Sequence, residues 1–523
     1  MSGYAKADRS TCPPAIDVPR TYNAAVDFVD RHLAEGRGAK VAFVDDTTEL
    51  TYAGLAEQVN RAGNALRGLG VRMEERVLLV LLDTVRFPAM FFGAIKIGAV
   101  PVPVNTLLTA KDYDDLLRDT RARVLVVSAP LFDRIAAILP GQPYLEQVII
   151  DGADDARSLD ATLAAAEPEL EAAPTCADDF AFWLYTSGST GQLKGAVHSH
   201  ADLVYTAEYY GTSVLGIRED DVVFSAAKLF FAYGLGNSIT FPLRVGATAI
   251  LMAERPTPAA VRRRLVEKRP TIFYGVPTLY ASLLAEPGDL ASSALRVCTS
   301  AGEALPRDVG ERFFARTGVD ILDGIGSTEM LHIYLSNVPG DVRYGTTGRP
   351  VPGYEIAIRD ERGNDVAPGG VGDLWVSGPS SASLYWNKRE QSRATFHGRW
   401  TRTGDHYRCD EDGRYVYQGR SDDMLKVGGI YVSPFEVEAA LVAHPDVLEA
   451  AVVGHADENG LIKPRAIVVL TAGAIASEAL IDALKLHVKA TLAPYKYPRW
   501  VEIVAELPKT ATGKIQRFKL RKS

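Results

Sequence analysis

Ala181-Phe182-Trp183-Leu184 runs directly into Tyr185-Thr186-Ser187-Gly188-Ser189-Thr190-Gly191-Gln192-Leu193-Lys194-Gly195, and this stretch decides how the chain is read. The first four residues are an apolar strand candidate. In the loop that follows, glycines let backbone N–H groups turn inward, small hydroxyls add donors and one lysine adds positive charge. Together they make a nest suited to polyphosphate. It is not a Walker A loop, because no Gly-Lys-Ser/Thr ending stands at the required spacing. A flexible Ser/Gly surface loop would share the composition, but not the strand before it or the lysine within it.

Outward from this loop, short apolar runs such as Val77–Leu82, Val124–Val127 and Gln147–Ile150 alternate with helical periods at Leu55–Leu69 and Val261–Glu267. That rhythm predicts α/β layers with buried, mostly parallel strands. From about Gly345 the texture changes to closely spaced Gly and Pro with strand candidates at Glu355–Ile358, Asp373–Val376 and Arg414–Tyr417. A β-rich subdomain is expected over about 345–420.

After Gly419-Arg420-Ser421-Asp422-Asp423 the pattern changes again. Ser433-Pro434-Phe435-Glu436 reads as a capped helix start with Pro at the first helical position. Strand candidates Ala450–Val453 and Ala466–Leu470 follow, then one apolar stripe of Leu480, Ile481, Leu484, Val488 and Leu492. The expected organisation is a flexible tail at 1–20, a large N-terminal domain of layered α/β subdomains over 21–420, and a smaller mobile α+β domain over 421–523.

The 523 residues exceed what one growing core supports and suggest about three structural units. Hydrophobic residues make up 47% and charged residues 23%, ordinary values for globular proteins, so disorder is excluded for most of the chain. A net charge of −8 with no dense basic cluster before Lys519–Lys522 argues against nucleic acid as the main partner. Four scattered cysteines show neither metal spacing nor disulfide density, which predicts a reducing cytoplasm. The opening lacks a signal-peptide core and the apolar runs are strand-sized, so a soluble protein without a membrane partner is expected.

Further motifs stand in order along the chain: Ser300-Ala301-Gly302-Glu303-Ala304-Leu305, Asp323-Gly324-Ile325-Gly326-Ser327-Thr328-Glu329, Thr403-Gly404-Asp405, Gly419–Asp423 and Pro508-Lys509-Thr510-Ala511-Thr512-Gly513-Lys514. With the first loop, they resemble the acyl-adenylate-forming superfamily, which includes acyl-CoA ligases, luciferases and peptide-synthetase adenylation domains. A carboxylate has no leaving group that a thiol can displace, so the resemblance implies its conversion to a mixed anhydride with AMP. Charge neutralisation and in-line positioning are then the protein's task.

The resemblance implies ATP, Mg²⁺ and coenzyme A as the small molecules handled. Thr186, Ser187, Gly188, Ser189, Thr190, Gly191 and Lys194 would hold the β- and γ-phosphates. Thr328 and Glu329 would hold the α-phosphate and Mg²⁺. Gly302, Glu303, Ala304, Asp323, Gly324 and Ile325 would line the adenine, with Asp405 and Arg420 on the ribose. Lys514 would sit between the substrate carboxylate and the α-phosphate. Asp422 falls where the family places its hinge, and Lys426, Gly428 and Gly429 would approach the pantetheine arm of coenzyme A. His198 and His200, spaced i, i+2, read as structural.

For the acid, the run Ala226-Ala227-Lys228-Leu229-Phe230-Phe231-Ala232-Tyr233-Gly234-Leu235-Gly236-Asn237 holds no carboxylate to pair with an α-ammonium group, which disfavours amino acids. This run and Met330-Leu331-His332-Ile333 closely resemble the benzoate-CoA ligase branch, over about Tyr22 to Arg521. The run departs from many members of the superfamily, which carry a histidine where Phe231 falls. Ala227, Phe231, Tyr233, Gly234, Gly326, His332 and Ile333 would wall a pocket for a flat ring. Benzoate and its 3- or 4-hydroxy derivatives stay open, since His332, Lys228 or backbone could each meet a phenol. The alternatives are a medium-chain fatty acyl-CoA ligase, an adenylation enzyme serving a carrier protein, and a nucleotide-binding sensor without catalysis; a homodimer is compatible with the pattern.

Overall fold

The computed structural model describes residues 3–187, 193–290, 294–420, 424–427, 430–458, 462–492, 496–509 and 515–521. Its largest sheet has nine strands in the order 349–350, 333–336, 321–326, 297–300, 272–275, 222–225, 248–250, 41–44 and 49–51. The six inner strands are parallel, and the edges at 333–336, 349–350 and 49–51 are antiparallel. Val297–Ser300 and Ile272–Gly275 are buried along their whole length, as expected of parallel strands covered on both faces.

A second, all-parallel sheet orders Val100–Pro103, Arg76–Val80, Val124–Ser128 and Gln147–Asp151. Between the layers lies the helix Tyr52–Gly68, whose start is capped by Thr51 accepting from Gly54 N at 3.1 Å. Its buried Leu55, Val59, Ala62 and Leu66 recur at helical spacing and form one face.

Two antiparallel sheets complete the N-terminal part. Phe180–Ser187 pairs with Leu193–Ser199, which also pairs with Leu384–Tyr385. Glu355–Arg359, Val371–Ser377, Trp400–Cys409, Phe396–His397 and Tyr415–Arg420 form the other.

A separate body follows, with Val447–Ala456 and Ile462–Leu470 antiparallel and Trp500–Ile503 parallel to the latter. Its core gathers Val432, Val437, Leu441, Val452, Val468, Leu484 and Val488. The helix Pro434–Val442 begins as its sequence predicts, with Ser433 Oγ accepting from Glu436 N at 3.3 Å and Pro434 in the first turn. The chain is thus a large α/β N-terminal domain with a smaller α+β C-terminal one.

The opening segment differs from the flexible tail expected at 1–20. Lys6–Asp8 and Ala15–Asp17 pair as a hairpin, and Ala5 is buried. Charge is the reason. Glu208 and Asp27 are fully buried carboxylates, and buried carboxylates need cations. Arg9 grips Glu208 with two bonds of 2.9 and 3.0 Å, and Arg244 reaches Glu208 at 2.6 Å and Asp27 at 2.9 Å. The tail therefore carries one of the counter-ions of the core.

Arg9→Ala should lower unfolding stability by about 1–3 kcal/mol, because it strips a bidentate partner from a buried carboxylate. Arg20→Ala, which breaks an exposed pair with Asp178, should cost less than about 0.5 kcal/mol. Urea midpoints of the two variants check the contrast.

Candidate active site

The site assembles where the parallel sheet ends. Val297–Ser300 and Ile321–Gly326 run side by side with Ser300 opposite Asp323, so their carboxyl ends deliver two of the motifs to one edge. Ligands of open α/β sheets collect at such edges. Gly302 takes φ +93° in the turn after the first strand. Gly302 is exposed and Glu303 and Ala304 are half-exposed, while on the second strand exposure begins at Ile325 and ends after Glu329. Asp323 itself is buried and accepts from Leu305 N at 3.2 Å, and burial raises its pKa well above the usual carboxylate range. Asp323 thus braces the two loops against each other, with Gly324 packed on Ile333.

The turn after the second strand is stitched to the antiparallel sheet residue by residue. His198 Nε2 lies 2.8 Å from the carbonyl oxygen of Thr328, Ala382 N donates to the Glu329 carbonyl at 2.7 Å, and Ser380 Oγ donates to the Met330 carbonyl at 2.8 Å. The Tyr385 hydroxyl donates to the Glu329 carboxylate. Leu331 follows at φ +66°, a left-handed conformation in a non-glycine residue, which surrounding contacts must hold. His198 Nδ1 faces Asp202 at 2.8 Å, and His200 Nδ1 accepts from Ala24 N at 3.1 Å. Both histidines are built into the scaffold, the first directly behind the Thr328–Glu329 turn.

Thr186 and Lys194 are cross-strand partners, as are Ser187 and Leu193. Asp405 and Arg420 also face each other across a strand pair, joined by an Arg420 Nη1 to Asp405 Oδ1 bond of 3.1 Å. Gly188, Ser189, Thr190, Gly191, Asp422, Gly428, Gly429 and Lys514 lie outside the described residues, as do the side chains of Ser187 and Lys426. Ile515, next to Lys514, is described: its N–H donates to Glu303 Oε1 at 3.0 Å. That bond ties the C-terminal domain to the loop that holds Gly302–Ala304. Arg517 joins Glu438 through two bonds at the same boundary, where Glu303 adds negative field.

Of the residues expected to wall an acyl pocket, Tyr233, Gly326, His332 and Ile333 come together, and Ala227 meets Gly234. A Cβ on Gly234 would stand 2.1 Å from the carbonyl oxygen of Lys228 and 2.6 Å from that of Ala227, so the Ala227–Gly234 turn closes only with glycine there. Gly326 packs as closely on His332, whose carbonyl oxygen would be 2.5 Å from an added Cβ. The His332 ring lies 5.6 Å from that of Tyr233, 5.2 Å from Tyr210 and 4.5 Å from Phe241. Its Nε2 meets Asn237 Oδ1 at 3.1 Å, while Nδ1 has no hydrogen-bond partner among the described residues. Tyr233 OH is bonded to Thr299 Oγ1, and Phe231 packs on Phe230. Lys228 is engaged elsewhere: it donates to the carbonyls of Met252, Ala253 and Glu254 and stands 3.6 Å from Asp83.

No role for Tyr385, Ser380, Asn237, Tyr210 or Asp202 is read from the sequence. For Tyr385, Ser380, Asn237 and Tyr210 the contacts join residues distant in the chain, which local pattern does not carry; Asp202 meets His198 four residues away.

Residues 30–386 match the AMP-binding enzyme family and residues 436–514 match the AMP-binding enzyme C-terminal domain. The chain belongs to the AMP-binding enzyme family. Among its AMP-binding relatives, the chain is 61% identical to the benzoate–CoA ligase of Thauera aromatica, covering 98% of each chain. It is 52% identical to the 4-hydroxybenzoate–CoA/benzoate–CoA ligase of Rhodopseudomonas palustris, covering 96% of this chain and 94% of that one. A crystallised benzoate CoA ligase from Burkholderia xenovorans superposes with a TM-score of 0.90 at 56% identity, over 96% of this chain and 100% of the other. The family match extends over both the parallel-sheet edge and the strand pair Phe180–Ser187 with Leu193–Ser199.

Burial depresses the His332 pKa to about 3, so its imidazole is neutral in the folded protein. The unfolded chain takes up that proton near pH 6.5, so the contribution to stability is complete above pH 6.5 and is lost as the pH falls below it. Between pH 7 and pH 5 this one group should cost about 2 kcal/mol. His332→Asn should therefore lose about that much less stability than the parent over the same interval, as read from urea midpoints at the two pH values.

Proposed function

We propose that the protein is an ATP-dependent aryl-CoA ligase that activates benzoate or a hydroxybenzoate as an acyl-adenylate and transfers the acyl group to coenzyme A, releasing AMP and pyrophosphate. The observation that carries this reading is the 61% identity to a benzoate–CoA ligase over 98% of both chains. The carboxyl ends of Val297–Ser300 and Ile321–Gly326, side by side, support it.

In this reading Thr186–Lys194 hold the β- and γ-phosphates, and Gly302–Ala304 with Asp323–Ile325 line the adenine. Asp405 and Arg420 take the ribose. Mg²⁺ arriving with ATP would keep most of its waters and need only one or two carboxylates besides the phosphates. Glu329, an oxygen donor at the mouth of the cleft, fits that need with Thr328 beside it. Bound there, Mg²⁺ neutralises phosphate charge.

Lys514 would stabilise the charge shared between the incoming carboxylate and the α-phosphate. The Glu303–Ile515 bond supports this role, because it fixes the residue following Lys514 against the adenine-lining loop. Thiol transfer requires that lysine to leave, so the domain over 421–523 would swing about Asp422, bringing Lys426, Gly428 and Gly429 to the pantetheine arm. On the acid side, Phe231, Tyr233, His332 and Ile333 suit both faces of a flat ring. With Lys228 bound to carbonyls, His332 Nδ1 is the side-chain group proposed to meet a ring hydroxyl. The same reading places the enzyme in the cytoplasm, without nucleic-acid or membrane partners, and is compatible with a homodimer.

Turnover of a panel of acids with ATP, Mg²⁺ and coenzyme A, followed by AMP release, tests the assignment. The kcat/KM for benzoate or a hydroxybenzoate should exceed that for octanoate by at least about 100-fold, and amino acids should not react. A preference for octanoate would overturn the aryl reading and leave adenylate chemistry standing.

Lys514→Ala should slow adenylate formation by about 100-fold or more while sparing thioester formation from supplied benzoyl-AMP. Asp422→Pro should do the reverse, since fixing φ at the hinge restricts rotation without touching the phosphate site. Single-turnover assays of the two half-reactions separate these outcomes.

A further inference from the structure

Tyr385 touches both charged groups that the proposed function assigns to Mg²⁺ and ATP, and no motif includes it. Its strand pairs with Leu193–Ser199 so that Tyr385 stands opposite Ala196. Lys194 is two residues along that neighbouring strand and so projects on the same face, within diagonal reach of a large side chain. The result is a contact of 4.5 Å between Lys194 Nζ and the centroid of the Tyr385 ring. The other end of the same side chain, the hydroxyl, donates to Glu329 Oε1.

The placement is firm. Tyr385 is 2% exposed, its N–H donates to Ser392 Oγ at 3.0 Å, and its ring lies 5.2 Å from that of Phe396. Burial and the Glu329 charge both raise its pKa, so the phenol keeps its proton and remains a donor.

We propose that Tyr385 is a positioning residue of the adenylation step, which holds the Glu329 carboxylate and the Lys194 ammonium apart in readiness for Mg²⁺ and ATP. The proposal rests on the reading of Glu329 as a metal group and Lys194 as a phosphate group. An ammonium and a carboxylate that share a cleft attract each other, and a direct pair would have to be broken before either could serve a ligand. Among the described residues no ion pair engages Lys194 or Glu329. Tyr385 gives the cation a ring face and the anion a hydroxyl, two contacts that a phosphate and a metal ion can each outcompete. Phenylalanine would keep the first contact and lose the second; leucine would lose both.

The test is calorimetric titration of the full-length protein with Mg²⁺·ATP in the absence of acid, over a range of Mg²⁺ concentrations, for Tyr385→Phe and Tyr385→Leu. Tyr385→Phe should raise the Mg²⁺ concentration for half-maximal ATP binding by about tenfold, because it frees Glu329. Tyr385→Leu should weaken ATP binding by a further factor of about three to ten, through loss of the Lys194 contact. The KM for benzoate should stay at the parent value in Tyr385→Phe, whereas a packing defect would shift it together with the melting temperature. Parent-like Mg²⁺ dependence in Tyr385→Phe, or a shift matched by an equal rise in benzoate KM, overturns the proposal, and that variant decides it even if the leucine variant fails to fold. Glu329→Gln and Lys194→Met run alongside: if these bind Mg²⁺·ATP as the parent does, the underlying assignment fails, whereas strong effects there with a silent Tyr385→Phe sink Tyr385 alone.

Discussion

The cleft depends on the seam between a parallel sheet and an antiparallel one, closed at the turn Thr328–Met330. Three successive carbonyls in that turn are claimed from the antiparallel side, by His198, Ala382 and Ser380. The carbonyls at the end of a parallel strand would otherwise face a poorly solvated gap, and leaving one unpaired costs about 1–3 kcal/mol. Satisfying them from His198 and from the segment that leads into Leu384–Tyr385 ties the parallel-sheet edge to the antiparallel strands.

Much of this was legible in the sequence where chemistry is local. The helix start at Ser433–Glu436 announces itself through residue types within a few positions, because caps and turns are short-range devices, whereas Ser300–Leu305, Asp323–Glu329, Asp405 and Arg420 are singled out by resemblance to family motifs. Buried parallel strands were legible for the same reason, as continuous apolar runs such as Arg76–Val80 and Val124–Ser128. Residues joined across sheets were not. Nothing near Tyr385 in sequence indicates that it will lie between Lys194 and Glu329, since its pairing with the Leu193–Ser199 strand spans almost two hundred positions. The structural part expected of His198 and His200 agrees with their burial in the scaffold, but the contact with Thr328 is of the same long-range kind.

The pocket also shows how steric and polar constraints divide the work. Gly234 and Gly326 bring backbones so close that no side chain fits, which fixes the walls. Lys228, a plausible partner for a ring hydroxyl in sequence terms, is drawn to three carbonyls of the neighbouring strand end. Its charge therefore serves the shape of the loop. The neutral His332 imidazole keeps hydrogen-bonding capacity at Nδ1 among the described residues.

The anchored opening hairpin bears on how the chain is made. Arg9 can find Glu208 only after some two hundred further residues have left the ribosome, and Arg244 later still. Residues 3–20 are thus secured only after a long loop closes. Until then Asp27, which pairs locally with Arg31, lacks the Arg244 part of its charge compensation. Cooperative folding of this domain is set by the arrival of residues near 244, well beyond the point where its first parallel sheet has emerged.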